Sequence, residues 1–199
     1  MTYKTTLILG ALALAACGQD SSEEQSEPQA PVSEEQRVDL FDGNGNAVGY
    51  VNYTEQDGNL SISVRELGVA TGTHGVHLHE TGLCEGPDFQ SAGGHWNPTG
   101  NEHGRDNPNG AHLGDLANLT ADENGMVDFN YLARGVITGA GQNTIDDADG
   151  TALIVHAGPD DYRTDPSGDS GDRMACAVLA APKNGGAAPS GSENEAASN

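Results

Sequence analysis

Basic side chains are scarce in this chain: 8 Lys and Arg face 30 Asp and Glu among 199 residues, for a formal net charge of −22. Such a charge repels phosphate backbones and anionic membrane surfaces, which removes nucleic acid from the partner classes. Aromatic residues make up only 5% while glycines number 28, a balance that disfavours a helical bundle and favours a loop-rich all-β chain. Cysteines number three, none in a CxxC pair, so a thioredoxin-type redox motif is absent. The N-terminal apolar run, Leu7 to Ala16, is too short to cross a bilayer as a helix.

That run reads as an export signal. Lys4 gives it a positive start, and it closes on Leu14-Ala15-Ala16-Cys17, which resembles a bacterial lipobox. Residues 1–16 are expected to be a lipoprotein signal peptide and Cys17 the lipidated first residue of the mature chain; an ordinary secretory signal is the alternative. Residues 17–36 turn to Ser, Glu, Gln and Pro without apolar periodicity and are expected to form a disordered acidic tether. Residues 182–199, rich in Gly, Ala and Ser, are expected to be a disordered tail. The implied location is the cell envelope, lipid-anchored, on the periplasmic side or at the outer membrane, with exposure at the cell surface as a variant. With Cys17 lipidated, Cys84 and Cys176 remain, and an oxidising compartment favours a disulfide over two free thiols.

Residues 37–181 alternate short apolar runs with turn chemistry. Val38 to Phe41 meets Asp42-Gly43-Asn44-Gly45, Val48 to Tyr53 meets Asp57-Gly58, and Leu60 to Val64 alternates with period two. Asp-Gly and Asn-Gly between such runs are hairpin signals. Further strands are expected at Met126 to Tyr131, Ala152 to His156 and Ala175 to Leu179. Gly82 to Leu113 has no strand pattern, and a loop so long inside a domain is usually functional.

Histidines fill that gap in the pattern. His77 and His79 flank Leu78, and residues two apart on a strand share a face, so both imidazoles can reach one ion. An H-x-H pair alone is as often structural. Here it is followed by His95 in Gly93-Gly94-His95-Trp96-Asn97-Pro98, by His103-Gly104, and by His112 with Asp115 three residues on. Imidazoles with one carboxylate suit zinc, and several imidazoles together suit copper as well.

With these motifs in this order, the chain resembles the copper–zinc superoxide dismutases in their exported bacterial lipoprotein form. The likeness runs from about Val38 to Leu179. It includes Ile154-Val155-His156-Ala157-Gly158 and the closing Gly171-Asp172-Arg173-Met174-Ala175-Cys176. The resemblance implies a Greek-key β-barrel or sandwich of immunoglobulin-like type, with eight strands and long metal-binding loops. It implies one copper per subunit on His77, His79, His95 and His156, and one zinc on His95, His103, His112 and Asp115, with His95 bridging. Asp160 would be the carboxylate joining one ligand of each metal, with Asp161 its competitor. Cys84 and Cys176 would form the disulfide, and Arg173 would orient the anionic substrate beside copper. His95 and Arg173 would thus be the catalytic pair.

The implied activity is disproportionation of superoxide to dioxygen and hydrogen peroxide, an antioxidant defence of the envelope, with a homodimer among the assemblies the family forms. His74 is left over and reads as a surface or strand-end residue. Family members often steer superoxide with basic residues. Here the stretch from His156 to Cys176 carries Asp160, Asp161, Asp165, Asp169 and Asp172 against Arg163 and Arg173, so salt should slow the reaction little or even accelerate it. A metal buffer on the same scaffold is the rival reading, as is a β-domain without chemistry.

Overall fold

A computed structural model describes residues 34–66 and 68–183; Cys17, the expected signal peptide, the tether up to residue 33 and the tail from residue 184 lie outside them. Nine strands follow in order: β1 (Gln36–Asp42), β2 (Ala47–Gln56), β3 (Asn59–Glu66), β4 (Gly72–His74), β5 (Val76–His79), β6 (Leu119–Ala121), β7 (Phe129–Arg134), β8 (Thr151–His156) and β9 (Arg173–Ala180). One turn of 3-10 helix, Gln90–Ala92, interrupts the long loop. The described residues contain no α-helix. Seven strands form a curled antiparallel sheet in the order β5-β8-β9-β1-β2-β3-β7, and β4 pairs with β6. The ninth strand arises because β4 and β5 are one stretch divided at Gly75, each half pairing with a different neighbour.

Alternation along the strands sorts side chains into two apolar clusters. Val76 and Leu78 of β5, Leu153 and Val155 of β8, and Ala175 and Ala177 of β9 point into the barrel core with Leu40, Val51, Leu60, Ile62 and Val64. The opposite faces of β8 and β9, through Ala152, Ile154 and Cys176, pack with Cys84, Phe89 and Ala92 of the long loop. Burying a single large aliphatic side chain in such a cluster contributes roughly 1.5–3 kcal/mol. A disulfide joins Cys84 to Cys176 across 92 residues of sequence and staples that loop to β9. The core therefore leaves β5 with an outward face carrying His77 and His79 only.

Two sequence expectations shift. The strand expected from Met126 begins at Phe129, and Met126 is 47% exposed. Asp122 explains the delay: its Oδ1 accepts the backbone N–H of both Asn124 and Met126, which extends the turn. His74 does end a strand, but it lies buried at 2% exposure rather than at the surface. Its ring nitrogens contact the carbonyl oxygens of His156 and Ala70 at 2.9 and 2.8 Å.

Candidate metal centre

The free edge of β5 holds the long loop in place. Trp96 donates to the Leu78 carbonyl, Leu78 to Gly114, Leu116 to Val76 and Glu80 to Gly94. Two loop segments, around His95 and around Asp115, are thus stitched against the strand that carries His77 and His79. His156 ends β8, directly beside β5. The structure accordingly brings His77, His79, His95 and His156 into one group, and His95, His103, His112 and Asp115 into a second that shares His95. All six histidines are buried.

In the first group each ring has one nitrogen fixed and the other bare. His79 Nδ1 contacts the Gly93 carbonyl at 3.0 Å and His156 Nδ1 the Gly171 carbonyl at 3.1 Å. A carbonyl only accepts, so these nitrogens carry the proton and the opposite nitrogens carry lone pairs. His77 Nε2 meets Asp160 at 2.9 Å and His95 Nδ1 meets Asp115 at 2.9 Å. The remaining atoms, His77 Nδ1, His79 Nε2, His95 Nε2 and His156 Nε2, are buried with no hydrogen-bond partner. Buried polar atoms are rarely left so. Four converging lone pairs with no donor among them fit a cation that accepts imidazole, and copper is such a cation.

The second group is built around a carboxylate. Asp115 Oδ1 lies 2.9 Å from His95 Nδ1, 3.1 Å from His103 Nδ1 and 3.0 Å from His112 Nδ1. Its Oδ2 accepts the backbone N–H groups of Gly104 and His112. A tetrahedral zinc with bonds of about 2.0 Å holds its ligand atoms about 3.3 Å apart, so three nitrogens and one oxygen at this spacing fit that ion. His103 Nδ1, 3.1 Å from Asp115 Oδ1, belongs to the same close group of atoms.

Asp160 joins the two groups. Its Oδ2 meets His77 Nε2 at 2.9 Å and its Oδ1 meets His103 Nε2 at 3.0 Å, both on the ring nitrogens facing away from the clusters. Asn118 holds Asp160 in turn, accepting its backbone N–H and donating to its carbonyl. Gly168, with φ at +64°, passes so close that a Cβ there would strike the Asp160 carboxylate and lie 2.6 Å from His103 Nε2. Asp161 turns away and bonds Arg163 and Thr164 of its own loop.

Electrostatics separate the groups in the metal-free chain. Burial, helped by neighbouring imidazoles, lowers His95 to about 4 and His156 to about 3, and it holds His79 well below the usual range. Burial also opposes charge on His103, but Asp115 and Asp160 outweigh it and raise that imidazole to about 9. Asp115 and Asp160 themselves lie below the ordinary carboxylate range, since hydrogen bonds from His103 and its neighbours outweigh their burial. Arg173 sits opposite His156 in the β8–β9 pairing. Its Nη1 donates to the Phe89 carbonyl at 2.7 Å and its Nη2 to Gly93 at 2.6 Å. Gly93 thereby anchors both Arg173 and His79. These backbone acceptors, with Asn118 and Gly168, are site residues that no side-chain motif signals.

Residues 47–179 match the family model described as copper/zinc superoxide dismutase. The copper–zinc superoxide dismutase 2 of Aquifex aeolicus is 38% identical over 71% of this chain and 84% of its own length. The superoxide dismutase-like protein YojM of Bacillus subtilis is 39% identical over 87% of this chain and 93% of its own. Among solved structures, a superoxide dismutase-like protein from Bacillus subtilis aligns with TM-score 0.69 and 41% identity, covering 72% of this chain and 97% of that one. The copper–zinc enzyme of Brucella abortus aligns with TM-score 0.59 and 31% identity, covering 73% and 99%. With its barrel, its paired histidine clusters and these relatives, the chain belongs to the copper/zinc superoxide dismutase family.

Proposed function

We propose that this protein disproportionates superoxide to dioxygen and hydrogen peroxide, with copper on His77, His79, His95 and His156 and zinc on His95, His103, His112 and Asp115. The observation that carries the reading is the set of four buried, donor-free ring nitrogens around one point, all on rings oriented from behind. A copper ion held there supplies the one-electron oxidation and reduction that disproportionation requires and that zinc lacks. His95 Nε2 takes up a proton and returns it within the cycle, while Asp115 keeps Nδ1 oriented. Arg173 spends two of its five N–H groups on loop carbonyls and presents the rest to the anion, its charge neutralising the incoming one. Cys17, outside the described residues, would carry the lipid that holds the enzyme at the cell envelope.

A metal store on the same scaffold needs the ligands but no guanidinium. The deciding experiment measures superoxide decay and bound metals on one sample of the protein. One copper and one zinc per chain, with activity lost on removing copper, supports the enzyme; full metal content without turnover assigns the protein to storage. Release from membranes on mutating Cys17→Ser tests the anchor.

A further inference from the structure

Beside Asp115 and His112 lies a cleft of about 450 Å³ whose walls include Arg105, Arg134, Tyr131, Tyr162, Leu113 and Leu132. In a chain of charge −22 this is an unusual place. Arg105 stacks on the Tyr162 ring, 3.7 Å from its centroid, and neither Arg105 nor Arg134 forms an ion pair among the described residues. Three other guanidiniums are engaged: Arg65 pairs with Asp128, Arg37 covers Tyr50 and Arg173 holds two carbonyls. The lining has one carboxylate, Asp115, already met by three imidazoles and two amides. Both guanidiniums and the Tyr131 phenol line this one cleft. Along the same wall runs β7, paired on one side only, with β3, so alternate backbone amides of the strand face outward. Leu132 is 44% exposed at the rim.

The free charges of the cleft are thus its two guanidiniums, which stand with His112 and the already saturated Asp115 among aromatic and aliphatic walls. A guanidinium pair selects a planar oxyanion, and the walls select an apolar body attached to it. We propose that the cleft binds a small organic acid, a carboxylate carried on an aromatic or similarly flat apolar group. The site is independent of turnover, since it needs no residue of the four-histidine group.

The test is calorimetric titration of the metal-loaded protein with benzoate, compared with benzyl alcohol and with inorganic phosphate. Benzoate should saturate a single site, and each comparison compound should bind at least about tenfold more weakly because it lacks either the charge or the apolar body. Arg105→Ala combined with Arg134→Ala should weaken benzoate by at least about tenfold; both side chains are exposed, so the fold and metal content should persist. The copper electron-resonance signal should stay unchanged on adding benzoate, which separates this cleft from anions captured beside Arg173. No saturable binding, equal affinity in the double variant, or a benzoate-dependent copper signal as the sole response would each overturn the proposal. Phosphate binding as tightly as benzoate would remove the apolar body from it. Capture of a peptide matching residues 20–33 in place of benzoate would assign the β7 edge to an extended acidic segment instead.

Discussion

The two histidine clusters share His95 and lie on the same edge of β5, yet they are prepared in opposite ways. Around His77, His79 and His156, burial keeps the rings neutral and backbone carbonyls or the Asp160 carboxylate hold them from behind, leaving bare lone pairs. Around Asp115, a charged carboxylate does the organising and, with Asp160, raises the basicity of His103. The first arrangement is a convergence of neutral donor nitrogens; the second is a closed network around one carboxylate. On the proposed reading, the group offered to a redox metal is thus built of neutral rings, and the group offered to a structural metal is built on a carboxylate.

The change that should break this contrast most is His95→Ala, because the ring belongs to both groups. Superoxide decay catalysed by the variant should fall by about 10²–10⁴, the range for losing a proton-handling group. Turnover close to that of the unmodified protein would remove His95 from the cycle. Next in size is Arg173→Ala, which touches neither ring set. Its loss should cost about 10²-fold in rate, as for other preorganised charge donors, with copper and zinc contents unchanged by mass spectrometry.

Asp160 sharpens the comparison from behind, since it grips one ring of each group. Asp160→Asn should weaken both metals by roughly 10–100-fold in chelator competition. Asp161→Asn should leave both as they were, and weakening of one metal alone would show that the two grips are not shared.

Acidity should act on the groups with opposite sign in the metal-free protein. His95 and His156 titrate near 4 and 3 when folded but near 6.5 when unfolded, so the unfolded chain binds more protons in between. Their effect is to lower stability as pH falls from about 6.5 towards 4. His103, raised to about 9, contributes stability that is complete below about 6.5 and lost as pH rises through 9. Urea midpoints of the metal-free chain should therefore peak near neutrality; a monotonic rise from pH 5 to 9.5 would contradict the assignment for His103. Smallest of all should be the effect of salt on turnover: from low to about 0.15 M ionic strength the rate should stay level or rise, because screening weakens a repulsive field around the anion's path. A steep fall would mean that local positive charge outweighs the surrounding aspartates.

The side chains of the two clusters were legible in the sequence because each is announced locally: H-x-H by strand parity, His112 and Asp115 by their spacing, His156 at the end of an apolar run. Their meeting across the fold came from the family resemblance, since nothing local says that residue 156 lies beside residue 77. The carbonyls of Phe89, Gly93 and Gly171 were illegible, because every residue has one and only the fold aims it. Asn118 and Gly168 were missed for the same reason: their roles come from contact with Asp160, 42 and 8 residues away in sequence. Short strands such as β4 and β6, three residues each, fell below the length at which period two can be read. The burial of His74 was hidden likewise, as its partners are backbone atoms.

One irregularity in the sheet has a geometric consequence. Val155 pairs with Ala175, but His156 pairs with Arg173, so β9 carries one residue more than β8 at that point. In an unbroken ladder Met174 would stand opposite His156 and Arg173 would point towards the barrel interior with Ala175 and Ala177. Instead Met174 packs against the core, and the guanidinium emerges on the outer side with the imidazole. Presentation inside or outside the barrel is therefore decided by a count and not by residue type: with both residues kept, closing the bulge would turn the guanidinium inward, whereas removing Met174 would set Arg173 next to Ala175, opposite His156 in a regular ladder and still on the outer side.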